Sequence, residues 1–183
     1  MSAFVPPNWF MGMLIYAGYF AVPLIIGVIA WVFFALKDKP TIGTGILIIC
    51  LVIGIGCAHV LWWQNFEVPS VESKVVTVQD WQAKPGLNTN ERGMMVIDSA
   101  DDLMLVTTDG EGYLNEEHFL FQKFDTRDIL NTMKPNGTYE IRYFGWREGF
   151  NSGFPNILSV QKVIDDSHAE NKTVGDYFGT KVV

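Results

Sequence analysis

Residues 37–40 (KDKP) are all that separates two long uncharged apolar runs, and no other feature constrains the fold of this chain so tightly. No charged side chain occurs in residues 1–36, and none occurs in residues 40–66. The run over 11–36 would be a helix long enough, at ~1.5 Å per residue, to cross a ~30 Å hydrocarbon core with some tilt. A cleaved secretory signal is the competing reading. It fails because the N-terminal stretch carries no basic residue, the apolar run is too long, and no small-residue cleavage site precedes Lys37. Pro23 falls mid-run, where a kink is tolerable in lipid. The run over 41–63 predicts a second span, with Trp62 and Trp63 marking an interface as Trp9 and Phe10 do for the first.

Four linking residues leave only an antiparallel helical hairpin. Within its second helix Gly54 and Ala58 form a small-xxx-small pair that lets two helix backbones approach closely. The expected use is packing against the first helix, and self-association of hairpins is the alternative. His59 is the ionisable group of this run. It lies about one turn before the tryptophan pair, where a neutral imidazole is cheap, so a structural role is expected. Cys50 and Cys57 lie seven apart on one helix face and cannot pair within that helix. Lys37 and Lys39 predict a cytoplasmic loop, which sends both termini outward. The expected location is therefore the inner (plasma) membrane, crossed twice, with the remainder of the chain periplasmic.

That remainder has the composition of a soluble domain. The chain carries a net charge of −7, made up of +1 over residues 1–64 and −8 over the rest. An acidic domain is a poor match for a nucleic-acid backbone or for anionic lipid heads. It contains no cysteine, so it uses no disulfide and offers no thiolate for structural zinc.

The organisation expected is a tail over 1–10, spans over 11–36 and 41–63 joined by the loop 37–40, a linker over 64–73, a β-rich domain over 74–164 and a polar C-terminal tail over 165–183. Strand-like stretches fall at 74–81, 94–99, 102–108 and 117–124, and the second and third read as a hairpin. A helix is expected over 125–134, with Asp125 as N-cap and Asp128 three residues on. Residues 138–146 alternate, with Tyr139, Ile141 and Tyr143 on one face and Glu140, Arg142 and Phe144 on the other. A last strand runs over 154–163. The order is three or four strands, one helix and two strands, which is compatible with a small five-stranded OB-like barrel, where a helix sits between the third and fourth strands; an open α+β sheet covered by one helix fits nearly as well. The fold class is thus a two-helix transmembrane hairpin followed by a small mainly-β (α+β) domain.

Chemical motifs are sparse. The acidic stretch Asp98, Asp101, Asp102, Asp109 and Glu111 does not match a calcium-binding loop. Glu117 and His118 could form an acid–base pair, but no nucleophile or phosphate-binding motif accompanies them. No catalytic residue, metal or cofactor is assigned. Residues 145–156 are denser in candidates. Trp146, Phe150 and Phe154 can cap the barrel. If exposed with Tyr143, Arg147 and Asn156, they have the composition of a protein-binding hot spot.

Three short segments, Phe121–Asp125 (FQKFD), Tyr143–Arg147 (YFGWR) and Phe154–Asn156 (FPN), resemble an uncharacterised bacterial family of membrane-anchored envelope proteins, domain-of-unknown-function family 1523. Its members have an N-terminal membrane segment and a small domain ending in a Tyr-Gly-Trp-Arg and Ser-x-Phe-Pro-Asn pair. The second motif is kept here as residues 152–156. Phe144, inserted between Tyr143 and Gly145, departs from the first, as does an anchor of two spans. The resemblance implies an envelope location and a shared fold, and no activity.

The function expected is non-enzymatic: a membrane-anchored domain that binds another envelope protein. A small-molecule or glycan binder using Tyr139, Tyr143, Trp146 and Arg147 is one alternative. A hairpin that acts in the bilayer as a homo-oligomer, of pore or lysis-control type, is the other.

Overall fold

The computed structural model describes residues 4–85, 95–147 and 153–181. The chain divides into two compact units, Met1–Pro69 and Ser70–Val183.

In the first unit, helices α1 (Trp9–Ala35) and α2 (Pro40–Trp62) are both long and apolar enough to cross a membrane. Asn8 caps α1 by accepting from the Met11 N–H, and Pro40 opens α2 where its missing N–H costs nothing. Asp38 turns the chain with a left-handed φ of 56°. The two helices meet along a seam in which small residues admit large ones. A Cβ on Gly43 would lie 2.9 Å from the Trp31 Cα, and one on Gly54 would lie 3.1 Å from both Phe20 and Pro23. Gly27 receives Leu47 and Cys50, and Gly12 receives the Trp62 ring. Ala58 is fully buried. The Tyr16 hydroxyl meets His59 Nδ1 at 2.5 Å, so His59 forms an interhelical bond near the open end of the hairpin.

The second unit is built around five strands: β1 (Glu72–Ala83), β3 (Leu103–Thr107), β4 (Gly112–Leu114), β5 (Thr138–Phe144) and β6 (Asn156–Asp165). Their order is β1-β3-β4-β6-β5, and β5 pairs back onto β1, so the mixed sheet closes. β1 is shared: residues 72–77 pair with β5 and 78–83 with β3, with an irregularity between Val78 and Asp80 where the strand changes partner. A parallel contact, Leu114 with Asn156, joins β4 to β6. Helix α3 (Thr126–Thr132) lies in the chain between β4 and β5. It is tied to the barrel where the Trp81 indole donates to the Met133 carbonyl at 2.8 Å and the Tyr139 hydroxyl accepts from the Lys134 N–H at 2.9 Å. Val78, Leu105, Tyr139, Ile141 and Ile157 are buried inside the barrel.

Several elements differ from the sequence reading. The stretches 94–99 and 102–108 do not pair with each other. Residues 99–102 instead form a capped helical turn: Asp102 accepts from the Asp98 and Ser99 N–H groups, and Ser99 accepts from the Asp101 N–H. Strand β2 (Met95–Ile97) therefore pairs with β7 (Gly179–Lys181). Residues 109–112 (DGEG), which interrupt the pattern, are the β3–β4 hairpin turn, with Gly110 at φ 82°. The stretch 117–124 is no continuous strand: His118 and Lys123 bridge across a tight turn, with Gln122 at φ 54°. Asp125 precedes α3 without a side-chain cap bond. The C-terminal residues include the short helix α4 (Val174–Tyr177), whose Val174 and Tyr177 enter the core.

Candidate functional site

One residue from each of the three segments quoted above, Phe121, Phe144 and Asn156, lies at the outer face of β5 and β6. Alternation along β5 turns Tyr139 and Ile141 inward and places Arg142 and Phe144 outside. Phe144 is nonetheless buried, because residues 115–125 fold back over it. The His118 ring lies edge-on to it at 5.0 Å, and Phe121 packs at 4.6 Å. Asn156 stands directly opposite Phe144 in the β5–β6 ladder and shares its face. Its Nδ2 donates to the Glu116 carbonyl at 3.0 Å, and its Oδ1 accepts from the Glu116 N–H at 3.1 Å and from the Lys123 ammonium at 3.0 Å. One amide therefore fastens the whole excursion to the barrel.

Lys123 is only 3% exposed, and burial lowers its pKa from 10.5 to about 8. Asp125, Asp101, Glu116 and Glu117 offset part of that shift from a distance. Its hydrogen-bond partner among the described residues is the neutral Asn156 amide. His118 is likewise pushed down, first by burial and then by Lys123, and its Nδ1 accepts from the Phe121 N–H at 3.3 Å. Asn115 is fully buried, donating to the Thr126 carbonyl at 2.7 Å. Its Oδ1 has no hydrogen-bond partner among the described residues.

The other predicted residues divide between packing and surface. Gly145 adopts φ 84°, and its N–H donates to Ser70 Oγ at 2.8 Å, which turns the chain out of β5. The Arg147 guanidinium lies 3.7 Å from the Phe154 ring centroid. Phe154 in turn occupies the space over Gly112, where a Cβ would come within 2.9 Å of its ring. Trp146 is half-buried, and Phe150 falls outside the described residues. In the described part of this loop, Phe154 is thus packed between β4 and Arg147. Tyr139 is a core residue whose hydroxyl is engaged. Tyr143 packs edge-on to Tyr113 at 5.2 Å and donates to Glu72 Oε2 at 3.0 Å.

Three residues of the acidic stretch, Asp102, Asp109 and Glu111, serve local order. Asp102 caps the 99–102 turn, and Asp109 accepts from the Thr107 hydroxyl. Lys74 bridges Glu111 at 2.6 Å and Asp109 at 3.2 Å. Lys74 foremost lowers the Glu111 pKa. The Thr107 hydroxyl does most to lower that of Asp109. No group of three or more metal-ligating side chains occurs among the described residues.

Sequence reasoning missed Lys123 and Asn115. A lysine between phenylalanines in 121–124 (FQKF) was the available signal, since apolar neighbours on both sides raise the chance that an amine is covered. Beyond this cluster, a cleft of about 520 Å³ is lined by Phe121, Lys123, Phe124, Arg142, Leu158 and Ser159, with Gln122 and Asp125 completing the lining. No family model, curated protein or solved structure matches this chain.

Proposed function

We propose that this is an inner-membrane protein in which the α1–α2 hairpin anchors an outward-facing, OB-like domain that binds another protein of the envelope. The anchor reading is supported by two helices of sufficient length and apolarity and by Lys37 and Lys39 in the turn between them. The OB-like reading is supported by the order β1-β3-β4-β6-β5, by a parallel contact between the third and last strands of the ring, and by α3 between the third and fourth.

The observation that carries the binding role is an exposed aromatic pair. Phe119, at the tip of the 118–123 turn, is 79% exposed, and Phe124 is 59% exposed. Both belong to an excursion that is itself firmly fastened, and rigid, exposed aromatics on a charged domain are the anchors that protein interfaces use. The glycan-binding alternative is weakened because Tyr139 is inside the core. A bilayer role through Gly54 is weakened because that residue already receives Phe20 and Pro23.

Two measurements test the proposal. A cysteine at the exposed Gln161 should react with a membrane-impermeant thiol reagent in intact cells; reaction only after lysis overturns the orientation. A photoreactive phenylalanine analogue at Phe119 in the full-length protein should give a discrete envelope adduct in intact cells. Its complete absence overturns the binding role.

A further inference from the structure

Strand β6 outruns its neighbour on one side. It pairs with β5 along its whole length, from Asn156 opposite Phe144 to Asp165 opposite Thr138. On its other side the pairing with β4 consists of Asn156 alone. Past that residue, among the described residues, no strand lies on this edge. The 121–125 stretch and α3 stand beside it at a distance and leave two clefts. The first is the 520 Å³ cleft already described. The second, of about 290 Å³, is lined by Asp125, Asp128, Ile129 and Thr132 on one side and residues 159–163 of β6 on the other. The two share Asp125 and Ser159, so together they follow β6 from Leu158 to Val163. At ~3.3 Å per residue these six positions span roughly 20 Å, the length of an ordinary added strand.

The chemistry of the trough selects its occupant. An open strand edge offers alternating N–H and C=O groups, which only another extended backbone can match in series. The first cleft also holds two cations, Arg142 and Lys123, against one anion, Asp125. Among the described residues Arg142 has no carboxylate within ion-pair distance, and Lys123 rests on a neutral amide. Among the residues that line the cleft, cations thus exceed carboxylates by one, and Arg142 is the one that no carboxylate pairs, next to the exposed Phe124 on a domain that is otherwise strongly acidic.

We propose that the open edge of β6 takes an extended segment of a partner protein as an added strand, with an acidic side chain of that segment seated against Arg142 and Lys123. This rests on the protein-binding role proposed above and names the surface and chemistry that would carry it. A seated carboxylate would also give Lys123 an anionic partner in direct contact, where the Asn156 amide is neutral, which favours an acidic residue over a neutral one at this position.

The test uses full-length protein in detergent micelles and three fluorescein-labelled hexapeptides. These are TVEVTV, its lysine counterpart TVKVTV, and TVEVTV methylated on alternate backbone amides. TVEVTV should bind at least tenfold more tightly than TVKVTV, and the methylated peptide should lose binding. Arg142→Gln should weaken TVEVTV at least tenfold and leave TVKVTV unchanged, while Arg142→Lys recovers most of the loss and shows that the domain remains folded. Equal binding of the acidic and basic peptides, indifference to methylation, or absence of binding up to millimolar peptide overturns the proposal. So does displacement of TVEVTV by millimolar inorganic phosphate with no dependence on methylation, which would make the cleft a small-anion site. A Phe119 adduct that persists in cells expressing Arg142→Gln would overturn the edge proposal and leave the broader binding role standing.

Discussion

The hairpin seam and the outer layer of the barrel solve one problem by opposite means. Each must hold a segment against a surface, α2 against α1 in one case and residues 115–125 against β5 and β6 in the other. The hairpin does it with missing atoms. Gly12, Gly27, Gly43 and Gly54 leave room for tryptophan, leucine, phenylalanine and proline. The outer layer does it with polar atoms, a buried amide that makes three hydrogen bonds and a buried amine. The first interface should fail when atoms are added and the second when atoms are removed.

The largest effect is expected at Gly43. A side chain there meets the backbone of Trp31, which cannot swing aside as a flexible side chain could. Gly43→Leu should destabilise the hairpin by about 3 kcal/mol or more. The neighbouring Gly45 and Gly56 have open space at the Cβ position, so Gly45→Leu and Gly56→Leu should be close to neutral. Thermal unfolding of the full-length protein in detergent, followed by circular dichroism, compares the three. A loss at Gly45 equal to that at Gly43 would break the steric account of the seam.

Next comes Asn156. Its replacement by alanine strips a partner from the Glu116 N–H, the Glu116 carbonyl and the Lys123 ammonium at once. A cost of about 2–3 kcal/mol is expected, because buried groups left unpaired carry their full desolvation penalty. The exposed pair should respond differently: Phe119→Ser, at the tip of the same excursion, should leave the melting temperature almost unchanged. Equal losses from the two would mean that the excursion is held by its aromatic tip and not by the amide.

Legibility followed the same division. The hairpin could be read because two uncharged runs joined by four residues leave the chain no other arrangement, and Gly54 and Ala58 announce themselves by size. Gly12, Gly27 and Gly43 were not singled out, since a glycine in an apolar helix says nothing of which face it takes until its partner is known. In the barrel, the alternation over 138–146 identified β5 because one face of that strand is truly inside. The strand expected over 117–124 failed because its phenylalanines serve two surfaces, Phe121 covering Phe144 while Phe119 points to solvent. The pairing of β2 with β7 was invisible, because hydrogen bonding across more than 80 residues leaves no local pattern. Asn156 was visible as a residue in a motif, but its role was not, because that role depends on Glu116 and Lys123 arriving from elsewhere in the chain.

Lys123 gives a pH test of the polar interface. Its folded pKa of about 8 lies below the unfolded value of 10.5, so between these values the unfolded chain holds more protons and stability rises with pH. The penalty, on the order of 3 kcal/mol, is fully present below pH 8. Tyr113, Tyr143 and Tyr177 act the other way, since burial foremost holds each above its ordinary value of 10, Tyr143 at about 12. Their contribution is intact below pH 10 and is lost above it. Stability should therefore climb from pH 8 to about 9.5 and fall beyond 10. Lys123→Met should remove the climb and keep the fall. A climb that survives the substitution would show that the amine is not the group being relieved.

The smallest effect belongs to the other well-placed lysine, and it sharpens the contrast. Lys74 has two carboxylate partners in direct contact, Glu111 at 2.6 Å and Asp109 at 3.2 Å, whereas the carboxylates that act on Lys123 do so from a distance. By the count of contacts it looks like the stronger fastening. Yet all three side chains are a third or more exposed, so water screens the attraction and would solvate each group in its absence. Lys74→Met should lower stability by no more than about 0.5 kcal/mol at moderate ionic strength, and less as salt is added. Urea unfolding at two salt concentrations measures it. A loss comparable to that of Asn156→Ala, insensitive to salt, would mean that the Lys74 network is buried in solution. The distinction between a barrel fastened by its covered amide and one fastened by its surface ions would then have to be redrawn.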